Sequence, residues 1–385
     1  MSSRVLVIVD EFSPVSETFI YNQVLELSKH LPTHVVCSKR MNSEIFPYNN
    51  CTELVRSGNI LSRSRRELEL RHLHFLGIER KQKEALNKSR LEFKPTCVIV
   101  HFGPNLLKYF NWLKALKIPV LVFFHGYDVS KLWKQSFFYR KGIKKVLRSK
   151  YIFPIVVSQY LQKTLETYIK PFNKIQVQYL GIDYDEFILS EIPGDSEVKK
   201  FVQVSRLVPK KGIEITLKAF SLFKQNHPQI QFRYDIVGDG ILKEILESLA
   251  IKLDIKSQVV FHGFKSQDEV LKILNDSDVY VQHSIISNTG DTEGLPISLM
   301  EAMALNMPIV STQHSGIPEL IDHRKHGLLV KENDIDAMSQ ALFDILSFNN
   351  TSGREKIKDH FSLMKNCQSL IEKIKQAEEY CLSIS

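Results

Sequence analysis

No run in this 385-residue chain is apolar for long enough to cross a bilayer. The N-terminus also lacks a signal-peptide pattern. Its first apolar run, Arg4-Val-Leu-Val-Ile-Val9, is short and reads as a buried parallel strand. Cysteines number five, Cys37, Cys51, Cys97, Cys367 and Cys381, with no Cys-x-x-Cys pair among them. That odd, scattered set argues against a disulfide framework or a zinc site and favours a reducing cytosol. Repeats and low-complexity tracts are missing. So is the full G-x-G-x-x-G spacing, since Tyr234-Asp-Ile-Val-Gly-Asp-Gly240 supplies only Gly238 and Gly240, which suit a tight turn. Acids are scarce in the first half. Residues 1–190 hold 29 Lys/Arg against 16 Asp/Glu, and the rest hold 22 against 27. A basic half calls for an anionic surface or substrate. With no recognition motif and an acidic second half, nucleic acid is a poor partner.

The length suits two domains. Short apolar runs alternate with amphipathic stretches, at Val5–Val9, Val35–Cys37, Val98–His101, Val120–Phe124, Ile155–Val157 and Ile175–Tyr179. The series restarts at Phe201–Val204, Tyr234–Val237, Val259–Phe261, Val279–His283 and Pro308–Ser311. Buried strands alternating with helices give parallel sheets covered on both faces, so two doubly wound α/β domains are expected. Their ligands belong beyond the carboxyl ends of the strands. The link is expected in Glu191-Ile-Pro-Gly-Asp-Ser-Glu197, which places the domains at 1–190 and 191–352. From about Gly353 a Lys-, Glu-, Leu- and Ile-rich pattern predicts helix to residue 385.

The most informative segment is Glu293-Gly-Leu-Pro-Ile-Ser-Leu-Met-Glu301. It follows a strand pattern, Val279-Tyr-Val281, and a polar loop, Ser284 to Thr292, and leads into a helical string, Ser298 to Leu305. Pro296 suits the first helical turn. The amides of that turn would face a phosphate, and the carboxylates of Glu293 and Glu301 would flank it to hold sugar or ribose hydroxyls. The plain alternative is one loop glutamate and one ordinary helix glutamate. Upstream, Arg206-Leu-Val-Pro-Lys-Lys211-Gly212 follows a strand and places cations at its end, either as a diphosphate clamp or as a solvated turn.

The whole string, with Ala302-Met303-Ala304 after it, resembles the retaining glycosyltransferases of family 4, which have the GT-B fold. In that fold two Rossmann-like domains face a central cleft. The resemblance extends over nearly the whole chain and is most specific over Gly290–Leu320. It implies that Arg206 and Lys211 contact the donor diphosphate, so that no metal and no further cofactor is required. Glu293 would orient the donor sugar, Glu301 bind ribose, and the amides of Gly294 and Leu295 hold phosphate or sugar oxygens. Phe261-His-Gly-Phe264 would border the nucleobase through Gly263 and Phe264, though Phe264 suits a core equally well. In Phe123-Phe-His125-Gly-Tyr-Asp128 the resemblance gives His125 a place facing the transferred sugar, while Asp128 reads as a cap for the following helix. His101, also at a strand end, borders the acceptor or is structural. Ser16-Glu17-Thr18 stands where many members have a glycine-rich loop, as in a subgroup resembling exopolysaccharide and colanic-acid enzymes. Its role toward acceptor or donor stays open, and Ser16 also suits an N-cap. The terminal helix is expected to cross back to the first domain.

These features imply a cytosolic retaining transferase, peripheral to the membrane, serving surface-polysaccharide assembly. Its donor would be a UDP- or GDP-sugar and its acceptor a lipid-linked saccharide. The basic stretch Lys131–Lys150, with eight Lys/Arg and no acid, would meet anionic lipid together with residues 63–90, or is a solvated helix. The alternatives are a nucleotide-sugar epimerase on the same fold and a non-catalytic nucleotide-sugar binder.

Overall fold

Strands form where Val, Ile and Phe run without interruption, because such residues pack well on a sheet buried on both faces. In the computed structural model the described residues are 3–14, 17–55, 67, 78–188, 197–348 and 352–384. They fall into two compact units, residues 1–181 with 363–385, and residues 182–362. The divisions lie at 181/182 and 362/363, where composition placed them at 190/191 and 352/353. Most of the expected linker, residues 191–196, lies outside the described residues.

The first unit holds strands β1 (Val5–Phe12), β2 (Thr33–Arg40), β3 (Cys51–Glu53), β4 (Cys97–His101), β5 (Val120–Phe124), β6 (Ile152–Val156) and β7 (Gln176–Val177). Their order is β3-β2-β1-β4-β5-β6-β7, all parallel. Val7 pairs with Val35 on one side and Ile99 on the other, so β1 is an interior strand and β1/β4 is where the strand order reverses. The helix Leu363–Ser383 belongs to this unit. It buries Cys367, Leu370, Ile374, Ala377 and Cys381, one stripe at spacings of three and four. Ser3 Oγ donates to Glu378 Oε2 at 2.6 Å and ties that helix to the start of β1.

The second unit holds β8 (Val198–Val204), β9 (Gln231–Val237), β10 (Val259–Gly263), β11 (Val279–Gln282), β12 (Ile309–Thr312) and β13 (Gly327–Val330). Their order is β10-β9-β8-β11-β12-β13, again all parallel. The order reverses at β8/β11. Phe201, Phe220, Phe223, Phe232 and Tyr234 pack as an aromatic core under this sheet.

Two edge strands fall outside the expected apolar runs. β3 is three residues containing Thr52 and Glu53, too short and polar to read as buried. β13 opens on Gly327, where a Cβ would come within 2.3 Å of the Ile309 carbonyl oxygen, so close approach to β12 selects a residue of low strand propensity. The run Ile175–Tyr179 shrinks to a two-residue edge strand.

Candidate active site

The loop after β8 and the loop after β11 meet at the strand-order reversal of the second unit. Gly212 allows this. Its φ is +59°, and a Cβ there would lie 1.7 Å from the His283 carbonyl oxygen. Close contact turns the short 3-10 helix Pro209–Lys211 toward Glu293. Lys211 Nζ is 2.9 Å from Glu293 Oε1, an ion pair by distance rather than an aligned hydrogen bond, and Lys210 Nζ is 3.8 Å from Oε2. Lys210 also reaches Asp291 Oδ1 at 3.4 Å and the Thr292 carbonyl at 3.2 Å. Lys210, Lys211 and Glu293 are each at least nine-tenths buried. Burial alone would raise the Glu293 pKa, but the charges of Lys210 and Lys211 outweigh it and hold the carboxyl at about 2. Burial pulls Lys211 below the ordinary lysine value despite Glu293. The result is a carboxylate held ionised against two confined lysines, able to bind an anion and to oppose a developing positive charge.

Glu293 is also clamped through its backbone. Its N–H donates to His314 Nε2 at 3.1 Å, and its carbonyl accepts from Ser315 Oγ at 2.6 Å. Because Nε2 accepts, the proton of a neutral His314 sits on Nδ1, which lies 2.7 Å from Glu332 Oε1. Glu332 in turn accepts from the Ile286 N–H at 2.8 Å. His314 is fully buried. Lys210, His314, Ser315 and Glu332 were not singled out in the sequence. Their available signal was position alone, as polar residues beyond the carboxyl ends of β8, β12 and β13.

The helix after the Gly-Leu-Pro break is Ile297–Ala304. Pro296 is its N-cap with ψ 119°, so the expected proline in the first turn is corrected to the residue before it. Extended backbone there leaves the turn to begin at Ile297. The N–H groups of Gly294 and Leu295 donate to no acceptor among the described residues. Glu301, in the middle of this helix, has a pKa raised to about 7 by burial and then by the charge of Glu186. Arg206 is exposed. Gly238 and Gly240 pack against this loop, since a Cβ at either would lie within 2.5 Å of the Ser205 or Leu207 carbonyl oxygen. At the end of β10, Gly263 has φ +69° and Phe264 is 62% exposed, so the core alternative for Phe264 does not hold.

In the first unit His101 and His125 end β4 and follow β5. His101 Nδ1 and His125 Nε2 are 3.0 Å apart, with rings nearly parallel. Burial lowers the His101 pKa to about 3, and burial together with His101 holds His125 well below the usual value. The pair is therefore neutral, one ring donating to the other. Phe19 and Phe102 pack on His125. Asp128 does not cap the following helix. Its carboxylate accepts from the N–H groups of Gly103, His125 and Gly126 at 3.1, 3.0 and 3.2 Å. It caps the helix Gly103–Leu116 and fixes the histidine turn, because the chain doubles back at Gly126 instead of running straight into helix. Glu17 is the N-cap of the helix Thr18–His30, while Ser16 lies outside the described residues. Among the described residues no group of three or more His, Cys, Asp or Glu is placed to hold a metal ion.

Two doubly wound parallel-sheet units, one carrying paired cations and carboxylates at its strand-order reversal, define the GT-B class of transferase. The model described as Glycosyl transferases group 1 matches residues 186–376, and that described as Glycosyltransferase Family 4 matches residues 16–186. A putative colanic acid biosynthesis glycosyltransferase, WcaL, of Salmonella typhimurium is 33% identical over 70% of this chain and 68% of that protein. The amylovoran biosynthesis glycosyltransferase AmsK of Erwinia amylovora is 32% identical over 65% of this chain and 61% of that protein. The crystal structure of Anabaena HepE in complex with UDP and glucose superposes with a TM-score of 0.75 at 14% identity, covering 97% of this chain and 99% of that one. The chain belongs to the family 4, group 1 glycosyltransferases and is a transferase of glycosyl groups.

Proposed function

We propose that this chain transfers a sugar, with retention, from a nucleoside diphosphate-sugar to a lipid-linked saccharide during exopolysaccharide assembly. The observation that carries the reading is the buried Lys210–Lys211–Glu293 cluster beside the unengaged amides of Gly294 and Leu295. Amides and ammonium groups suit a diphosphate, and a fixed carboxylate suits an oxocarbenium-like sugar. The UDP and glucose in the HepE structure, and the colanic acid and amylovoran biosynthesis named for WcaL and AmsK, support the donor class and the setting.

In the proposed reaction the bond from the anomeric carbon to the diphosphate breaks. The acceptor oxygen bonds to that carbon from the same face, and its proton passes to the departing phosphate. Lys211 and Arg206 take up the charge of the leaving group, so the reaction needs neither metal nor cofactor. Glu293 supports the positive charge on the sugar, Glu301 holds ribose hydroxyls, and Phe264 with the Gly263 backbone borders a uracil or guanine base. The neutral His125 hydrogen-bonds the transferred sugar, and Ser16, Glu17, Thr18 and His101 serve the acceptor or the donor. The unit of residues 1–181 with 363–385 binds the acceptor, and the unit of residues 182–362 binds the donor. The chain works at the cytoplasmic face of a membrane.

The test is to supply labelled UDP- and GDP-sugars with a lipid-linked saccharide extract and to read the product linkage by NMR. An α-linked donor should give an α-linked product, and chelation should leave the rate unchanged. An inverted linkage overturns the mechanism. Rearranged donor formed without acceptor would make the chain an epimerase.

A further inference from the structure

The helix Phe137–Val146 packs its buried face, Tyr139, Ile143 and Val146, into the first unit. Gly142 lets the helix Gly103–Leu116 approach, since a Cβ there would meet Leu107 at 3.0 Å. Its opposite face departs from the usual solvent-facing composition. The exposed positions are Phe137, Phe138, Lys141, Lys144 and Lys145, continued by Arg148 just past the helix end. Spacings of three and four place them on one stripe. Phe137 and Phe138 are 61% and 54% exposed, their rings in edge-to-face contact with centroids 5.8 Å apart. The stripe is thus aromatic at one end and cationic along the rest.

A solvated helix balances its lysines with glutamates at neighbouring turns. Here none is available, because from Val129 to Ile182 the only acid is Glu166. A second exposed group of the same kind adjoins the far end. The Phe172 N–H donates to the Leu147 carbonyl at 2.8 Å, and Phe172, 57% exposed, stands between exposed Lys170 and Lys174. Two exposed aromatic groups at opposite ends of a basic strip fit a planar anionic surface with an apolar layer beneath its charges. A nucleic-acid duplex would reward the charge but not the outward phenylalanines of a helix, and a single strand, whose bases could stack on them, is a separate arm of the test. No helix among the described residues is long and apolar enough to cross a membrane, so attachment through such a surface would be peripheral.

We infer that the stripe from Phe137 to Arg148 docks this protein on an acidic phospholipid bilayer, with the phenylalanines entering the interface and the cations meeting the headgroups. This deepens the reading of a membrane-held acceptor and rests on it for its purpose, though not for its geometry.

The test is co-sedimentation of the full chain with vesicles of phosphatidylcholine, with and without phosphatidylglycerol. Wild type should bind the anionic vesicles and lose most binding as salt rises. Phe137→Ser/Phe138→Ser should weaken binding about tenfold, with the salt dependence kept. Lys141→Gln/Lys144→Gln/Lys145→Gln/Arg148→Gln should weaken it at least about tenfold and flatten the salt dependence. Thermal stabilisation by nucleoside diphosphate, which these surface changes should not alter, reports folding and the donor site separately. Equal binding to both vesicle types, or wild-type binding by either variant, overturns the inference and leaves the transferase reading intact. Binding to an oligonucleotide but not to vesicles would also overturn it. Vesicle binding without any nucleotide response would instead sink the donor-site reading alone.

Discussion

At the residue scale, two glutamates of one segment end in opposite states. Glu293 is held at about 2 by two lysines, while Glu301 is raised to about 7 by burial and Glu186. On the proposed roles, Glu293→Ala should lower turnover at least about 100-fold while the Kd for nucleoside diphosphate stays near wild type. Glu301→Ala should weaken that Kd by about 1–3 kcal/mol. Calorimetric titration beside steady-state kinetics separates the two, and equal affinities in both variants would contradict the division. The raised pKa also has a stability consequence. Between an unfolded value of 4.5 and a folded value of about 7, the native state holds a proton that the unfolded chain has released. Stability therefore falls as pH rises through that window and stays reduced above it. Glu301→Gln removes this term. Its stability relative to wild type should rise by ~1–3 kcal/mol from about pH 5 to about pH 8 in urea unfolding. The spacing made both carboxylates legible, but not their ionisation, because the lysines and Glu186 that set it come from other elements.

At the element scale, the loops decide the site. The strand pattern was readable wherever strands are buried on both faces, and failed at the edges, where β3 is short and polar and β13 opens on a glycine. Asp128 was assigned to the wrong helix because capping was read along the chain, whereas its carboxylate reaches back to Gly103. His314 was invisible for a related reason. Its contact with Glu293 joins residues 21 positions apart through a sheet crossing. His314→Ala should reduce kcat by up to ~100-fold through misplacement of Glu293, with the nucleotide Kd much less affected. A proportional loss of both would make it a general structural residue. Gly212→Ala introduces a Cβ against the His283 carbonyl at positive φ. It should cost more than ~1 kcal/mol in chemical denaturation and lower nucleotide affinity with it. An unaltered affinity would show that this loop does not position the cations.

At the scale of the whole molecule, the charge division read from composition has a structural counterpart. Residues 1–181 of the basic half fold into the unit that carries the Phe137–Arg148 stripe, and residues 191–362 of the acidic half into the unit that carries the Lys211–Glu293 cluster. Two parallel sheets were expected from the two strand series and are present. Base, sugar and linkage were not legible, since they depend on pocket shape built by several loops at once. The central claim is that the second unit binds a nucleoside diphosphate at the β8/β11 reversal. It is tested most directly by a thermal-shift panel of UDP, GDP, ADP, CMP and dTDP, on wild type and on Arg206→Ala. A clear stabilisation by UDP or GDP, lost in the variant, is the predicted result. Stabilisation that survives unchanged in Arg206→Ala, or no response to any of the five, would contradict the account.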